Sequence, residues 1–233
     1  MPLYKLYNQV LVLATAGNLH DLQFICLILT VICVTYQNCP LSAEAIGSFI
    51  TGHSCYIGRN IMQIHNAVMN LHAALYKDHQ TGAIRAYHVS FYDFLASQYS
   101  DTAEISLEWP SLSSVQQHML CRCLDIMHTR LRFNVCNLNK PDFNKNIANL
   151  PEQISIHIEE DTQYSTIFWY THLLATSRAS ANVYDKILKL FNSKKFLFWL
   201  EYLSLQASLP HSLLALETCQ RIFTVSINYH YYM

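Results

Sequence analysis

Glu159-Glu160-Asp161 is the densest acidic run in this 233-residue chain, and paired carboxyls are common apparatus for general acid–base catalysis. Such a pair must converge on one bond, whereas adjacent positions on a helix diverge. The run therefore reads as a solvated face. His53 and Cys55 could lend a metal one nitrogen and one sulfur. No C-x-x-C or H-E-x-x-H stands in the sequence to complete a coordination shell, and no two of the twelve histidines lie i, i+4 apart. A phosphate loop, G-x-x-x-x-G-K-S/T, is missing. The nearest glycine strings, Ala16-Gly17-Asn18 and Ile57-Gly58-Arg59, lack its spacing and its lysine. Neither G-x-S-x-G nor G-x-G-x-x-G occurs. On these grounds the chain is expected not to be an enzyme, and to hold no metal and no cofactor of its own.

The elements that would position any site are mainly helical. Residues 1–18 carry a stripe at Leu3, Leu6, Tyr7, Val10, Leu11 and Ala14, closed by Gly17 and Asn18. Leu22 to Tyr36 is a 15-residue, almost wholly apolar run between Asp21 and Pro40. It is shorter than the ~20 residues that span a bilayer and has no Lys/Arg cluster beside it. A buried core helix is expected, with a membrane anchor as the alternative. Ser42 is a plausible N-cap for a short helix to Thr51. A longer helix is expected from Ile57 to Tyr76, with Ile61, Ile64, Val68, Leu71 and Leu75 at spacings of three and four. Asp78-His79-Gln80-Thr81-Gly82 is a turn cluster between Ala73–Tyr76 and Ile84–His88, a credible hairpin. Ser90 is placed as the cap of a helix from Phe91 to Ala96. Three helices, a hairpin and a closing helix make a winged-helix arrangement, and a domain boundary is placed in the turn-like residues 100–112.

Beyond it, Ser114-Val115-Gln116-Gln117 has the form of a capping box. Val115, Met119, Cys123, Met127, Leu131 and Val135 recur at i+4, which predicts one helix from Ser114 to Leu138. A polar loop, 139–149, precedes a helical stretch from Pro151 to about Ser177. Helices over Val183–Phe191, Lys194–Leu205 and Leu213–Val225 complete the set. The fold class expected is mainly α: a winged-helix-like domain of helices plus a short β-hairpin, then an α-helical bundle.

Composition agrees with helices that hide much apolar surface. Hydrophobic residues make up 52% of the chain and charged ones 13%, about half the ~25% usual in soluble domains. A net charge of −1 gives no strong pull toward nucleic acid or anionic lipid. The third helix of a winged helix often enters DNA, but here its only basic residues are Arg59 and, at its end, Lys77. Neither nucleic acid nor membrane is therefore an expected partner. The eight cysteines, without a C-x-x-C pair or an N-x-S/T sequon nearby, read as free thiols in a reducing, cytoplasmic setting.

One string is more specific. Tyr87-His88-Val89-Ser90-Phe91-Tyr92-Asp93-Phe94-Leu95 resembles the winged-helix signature of NACHT-class STAND ATPases, the NLR-like signalling proteins. Other stretches resemble fungal, basidiomycete NACHT–WD40 members in the same order: Leu6–Leu11, Pro40–Ile46, Leu131–Leu138, Phe168–Leu173 and Leu197–Leu205. The resemblance covers roughly residues 3–215. It implies that residues 1–18 end a first helical subdomain, 19–100 form the winged helix and 101–233 a helical domain. It implies a non-catalytic module that docks on a NACHT nucleotide-binding core, within one chain or from a homologue. In that family ADP or ATP is held by the upstream core, and the His of the signature, here His88, touches an ADP phosphate and stabilises the inactive state. The residues alone also allow His88 to cap its own turn or the next helix. The nucleotide core, with its phosphate loop and Mg²⁺-binding acids, and the C-terminal repeats are not in this sequence, and Thr224–Met233 departs from the family. A stand-alone interaction protein or homo-oligomer, an inert remnant, and a membrane-anchored helical protein are the alternatives.

Overall fold

The computed structural model of the chain describes residues 2–15, 18–53, 56, 58–99, 109–138, 143–176 and 180–231. These hold eleven α-helices and a two-stranded antiparallel sheet, so the chain is mainly α. It divides into two compact units, Met1–His118 and Met119–Met233. Most of the boundary region expected at 100–112 lies outside the described residues, as do Cys55 and Ile57.

In the first unit α1 (Pro2–Thr15) and α2 (Leu19–Thr35) lead into α3 (Ala43–Ile50), α4 (Ile61–Asn70), the strands β1 (Leu75–Lys77) and β2 (Ile84–Ala86), and α5 (Val89–Ser97). Asn18 starts α2 by accepting the His20 N–H at 3.0 Å, and Asp21 in the first turn suits the positive end of the helix dipole. Phe24 through Leu29, Val31 and Ile32 are all buried. Side chains all around this helix are covered, against α1, α3 and α5, so it is a core helix as expected. Each buried Leu or Ile contributes about 1.5–3 kcal/mol. Among the described residues no helix is long and apolar enough to cross a membrane.

Ser42 caps α3 as expected, its Oγ accepting the Ala45 N–H at 3.2 Å. The long helix expected from Ile57 is shorter at both ends. Asn60 and Gln63 form a reciprocal capping box that fixes the start of α4 at Ile61. Beyond Asn70 the chain turns, and Leu75 and Tyr76 enter β1 instead. In α1 the buried stripe is Tyr7 and Leu11, while Leu3 and Leu6 are exposed.

The second unit holds α7 (Leu150–His157), α8 (Glu160–Ala175), α9 (Ala181–Phe191), α10 (Lys195–Leu205) and α11 (Pro210–Tyr231). The unit boundary falls within α6 (Leu112–Arg130). The Ser111 Oγ accepts the Ser114 N–H at 3.1 Å, so Ser111 and not Ser114 occupies the capping place. All six residues of the i+4 series are buried, yet the helix stops at Arg130. Leu131–Leu138 is a loop whose Asn134, at φ +48°, accepts the Leu138 N–H at 2.8 Å and donates to its carbonyl at 3.0 Å. The side chain thus closes the loop as a backbone pair would. The stretch expected as one helix from Pro151 to Ser177 breaks at Ile158-Glu159 into α7 and α8. Trp169 and Trp199 meet edge to face at 5.9 Å in the core, and the Trp199 indole N–H donates to the Thr166 carbonyl at 2.8 Å.

Candidate functional site

His88 stands where the hairpin meets α5. Leu75 pairs with Ala86, Tyr76 with Arg85 and Lys77 with Ile84. The turn is drawn shut by Asp78, whose Oδ1 accepts the N–H groups of Gln80 and Thr81, both at 2.9 Å, with Gly82 at φ +74°. Those N–H donors hold the Asp78 carboxyl below its ordinary range. The second strand is fastened to α5 by Tyr92, whose hydroxyl accepts the Ala86 N–H at 3.0 Å and whose ring stacks on Tyr36 at 4.0 Å. A single isolated bridge, Ser42 to Ala83, ties the hairpin to the start of α3.

His88, not Ser90, is the N-cap of α5. Its backbone is extended (φ −139°, ψ 139°), and its Nδ1 accepts the Ser90 N–H at 3.1 Å. An amide N–H can only donate, so Nδ1 carries a lone pair and the neutral ring's proton sits on Nε2. The Ser90 Oγ lies 2.7 Å from the same Nδ1 and 2.8 Å from the Tyr7 hydroxyl. Ser90 therefore donates to the imidazole and accepts from Tyr7. The hydrogen bonds run in one direction, from α1 to His88, and end on a solvent-exposed ring with an N–H to give. A Ser–His contact of this kind could suggest a nucleophile, but here the ring nitrogen is already engaged as the helix cap.

Tyr7 is itself held by aromatic packing. Its ring meets Phe91 edge-on at 5.0 Å and lies 5.4 Å from Phe94, while Tyr4 meets Phe94 at 5.5 Å. Sequence reasoning counted Tyr7 only as part of an apolar stripe, and nothing in its spacing announced the hydroxyl's partner. Flanking His88, Tyr87 and Val89 are both exposed.

The other sequence candidates fall elsewhere. His53 lies edge-on to His118 at 5.2 Å, and His118 Nε2 donates to the Phe49 carbonyl at 2.9 Å. Burial lowers the His53 pKa. Its proposed companion Cys55 is outside the described residues, and among those residues no group of three or more His, Cys, Asp or Glu could hold a metal. Arg59 donates to Asp21 at 2.8 Å and to the His20 carbonyl at 3.2 Å, and it stacks 4.6 Å from the Phe24 ring centre. It forms one wall of a cleft of about 170 Å³ with Gln63, Asn66 and Asn70.

The acidic run is solvated only in part: Glu159 is exposed and Glu160 half-buried, but Asp161 is not. Asp161 is 3% exposed, and its Oδ1 accepts from Arg130 Nη1. The same Nη1 donates to Glu159 Oε2 at 2.7 Å and Thr162 Oγ1 at 3.1 Å. The divergence expected of adjacent helical positions fails here because Glu159 lies just before α8 with an extended backbone, so its carboxylate and that of Asp161 converge on one guanidinium. A basic partner thirty-odd positions upstream has no local signature.

No family model matches the chain, and no solved structure matches it significantly. It is similar to the vegetative incompatibility protein HET-E-1 of Podospora anserina, at 30% identity over an alignment of 149 residues that covers 58% of this chain and 11% of that protein. The similarity is a distant one to a fungal incompatibility protein, and the chain spans only a small part of that relative's length.

Proposed function

We propose that the chain is a non-catalytic regulatory module of a NACHT-class, NLR-like signalling ATPase, one that docks on a nucleotide-binding core and stabilises its ADP-bound state. In this reading α2, α3, α4, the hairpin and α5 are a winged helix. The bridge at Ser42, between the first and second of those helices, supplies the short third strand such a domain uses. The similarity to an incompatibility protein supports the class of function, and the Tyr87–Leu95 string supports the docking element.

The observation that carries the reading is the state of His88. Its Nδ1 is committed to capping α5, which leaves an exposed imidazole with its N–H free to meet an anion. A charge-assisted N–H to phosphate bond is short and strong, yet one such bond is worth only ~1.5–3 kcal/mol. The module therefore biases a nucleotide that the core already holds and does not hold one itself. A ligand shifts a two-state equilibrium only by its differential contact with the two states, and His88 is that contact. The test is ADP release from a full-length relative carrying the equivalent of His88→Ala. Faster release is expected. An unchanged off-rate removes His88 from the mechanism.

A further inference from the structure

Resting on the reading of His88 as the phosphate donor, we propose that Tyr7 and Ser90 are its positioning residues, so that the donor tautomer favoured by the Ser90 N–H is populated alone only while α1 is seated on α5. The imidazole is exposed and would ordinarily sample two tautomers and two ring orientations. Two contacts reach Nδ1, the Ser90 N–H at 3.1 Å and the Ser90 Oγ at 2.7 Å. The first comes with the helix itself. The second depends on the hydroxyl pointing toward the ring, and the Tyr7 hydroxyl, 2.8 Å from it across 83 residues of sequence, fixes that direction.

Tyr7 can do this because it is anchored on its other edge. It is buried and packs against Phe91 and Phe94 on the same helix that His88 caps. The hydroxyl and the ring thus report one event, the docking of α1. When α1 moves away, Ser90 loses its donor and turns freely. The ring then keeps one bond to the backbone, and tautomers that place a lone pair on Nε2 become populated. A lone pair repels a phosphate oxygen, so displacement of α1 weakens the anion contact without any change at His88 itself. The site is regulated from a helix that never touches the ligand.

The experiment is a long-range ¹H–¹⁵N spectrum of the full chain with ¹⁵N-histidine at about pH 8, where an ordinary imidazole is neutral. His88 is identified by the signal lost in His88→Asn. The wild type should show the Nε2–H tautomer alone. Tyr7→Phe, which keeps the ring packing, and Ser90→Ala should both introduce the second tautomer, and Ser90→Thr should restore the single one. A spectrum unchanged in Tyr7→Phe and Ser90→Ala, with both folded by circular dichroism, overturns the proposal, as does a tautomer mixture in the wild type. ADP release from a full-length relative separates this from the parent reading. If the tautomers shift as expected but neither the Tyr7→Phe nor the His88→Ala equivalent changes release, the positioning stands and the phosphate contact falls.

Discussion

Arg130 and Asp161 join the last residue of α6 to the first turn of α8. The guanidinium Nη1 reaches Asp161, Glu159 and Thr162 together, while the Arg130 carbonyl accepts the Tyr202 hydroxyl at 3.1 Å. The arginine side chain is about one-third exposed and the Glu159 side chain 73% exposed, whereas Asp161 is enclosed. The cluster holds the kink at Ile158-Glu159 where the sequence pattern alone would run one helix through.

Removing Arg130 should therefore cost far more than removing Glu159. Arg130→Ala leaves a buried carboxylate unpaired, a loss of about 3–5 kcal/mol at full burial and somewhat less with the guanidinium partly in water. Glu159→Gln should change stability by under about 1 kcal/mol, as exposed pairs do. Urea unfolding of the two variants checks the order, and equal effects would mean that Asp161 finds another partner.

Acid should destabilise the second unit through His172. Burial lowers its pKa from the ordinary 6.5 to about 3, while the Tyr164 hydroxyl lies 2.9 Å from its Nε2. The unfolded chain takes up a proton as pH falls below about 6.5 and the folded chain does not until about 3. Stability is thus full above 6.5 and declines toward 3, by about 1.4 kcal/mol per pH unit from this one group. Urea midpoints measured across that window should fall in the wild type and fall less steeply in His172→Gln.

Substitutions at His88 should separate its capping of α5 from the proposed phosphate contact. His88→Ala removes the α5 cap and should cost about 0.5–2 kcal/mol. His88→Asn keeps a side-chain acceptor for the Ser90 N–H and should be close to wild type in stability while lacking the ring N–H. In a full-length relative both should lose the proposed ADP contact. A destabilised Asn variant would show that the ring does more than cap.

The exposed apolar residues of α4 and those flanking His88 should bind hydrophobic dyes. Met62 and Met69 on α4 and Tyr87 and Val89 beside the imidazole are all exposed, and contiguous apolar surface beyond a few hundred Å² is rarely left bare on a monomer. Dye fluorescence that drops when a NACHT core is added is expected. A monodisperse monomer with little dye binding would count against docking by this face.

The apolar run after Asp21, the Ser42 cap and Asp78 with Gly82 made α2, α3 and the hairpin turn legible, and α9 and α10 lie within two residues of their expected bounds, whereas α11 extends beyond the expected Leu213–Val225 at both ends. Two of the helix-end errors share one cause. Burial continues past a helix end when the next loop also faces the core, so Leu131 and Val135 extend an i+4 pattern that the backbone has already left. Leu75 does the same beyond α4. For the site, the string around His88 was readable, but its dependence on Tyr7 was not, because an aromatic ring and its hydroxyl obey different rules and only the ring shows in a hydrophobic stripe.

Replacing Ile28 by Asp should unfold the first unit outright, since that side chain is wholly buried and an unpaired charge there costs several kcal/mol against a total of ~5–15. Loss of the cooperative thermal transition is the readout.

The same enclosure of α2 governs how the chain must be made. A helix with no face for water has no satisfactory resting place until α1, α3 and α5 are all at hand, and α5 is the last of these to be synthesised. During translation the Leu22–Tyr36 run is therefore a sticky intermediate, a natural client for chaperones and a seed for aggregation if elongation pauses before residue 97. Shortened versions ending between α3 and α5 should collect as insoluble material, and the first unit should appear in soluble form all at once when α5 is restored.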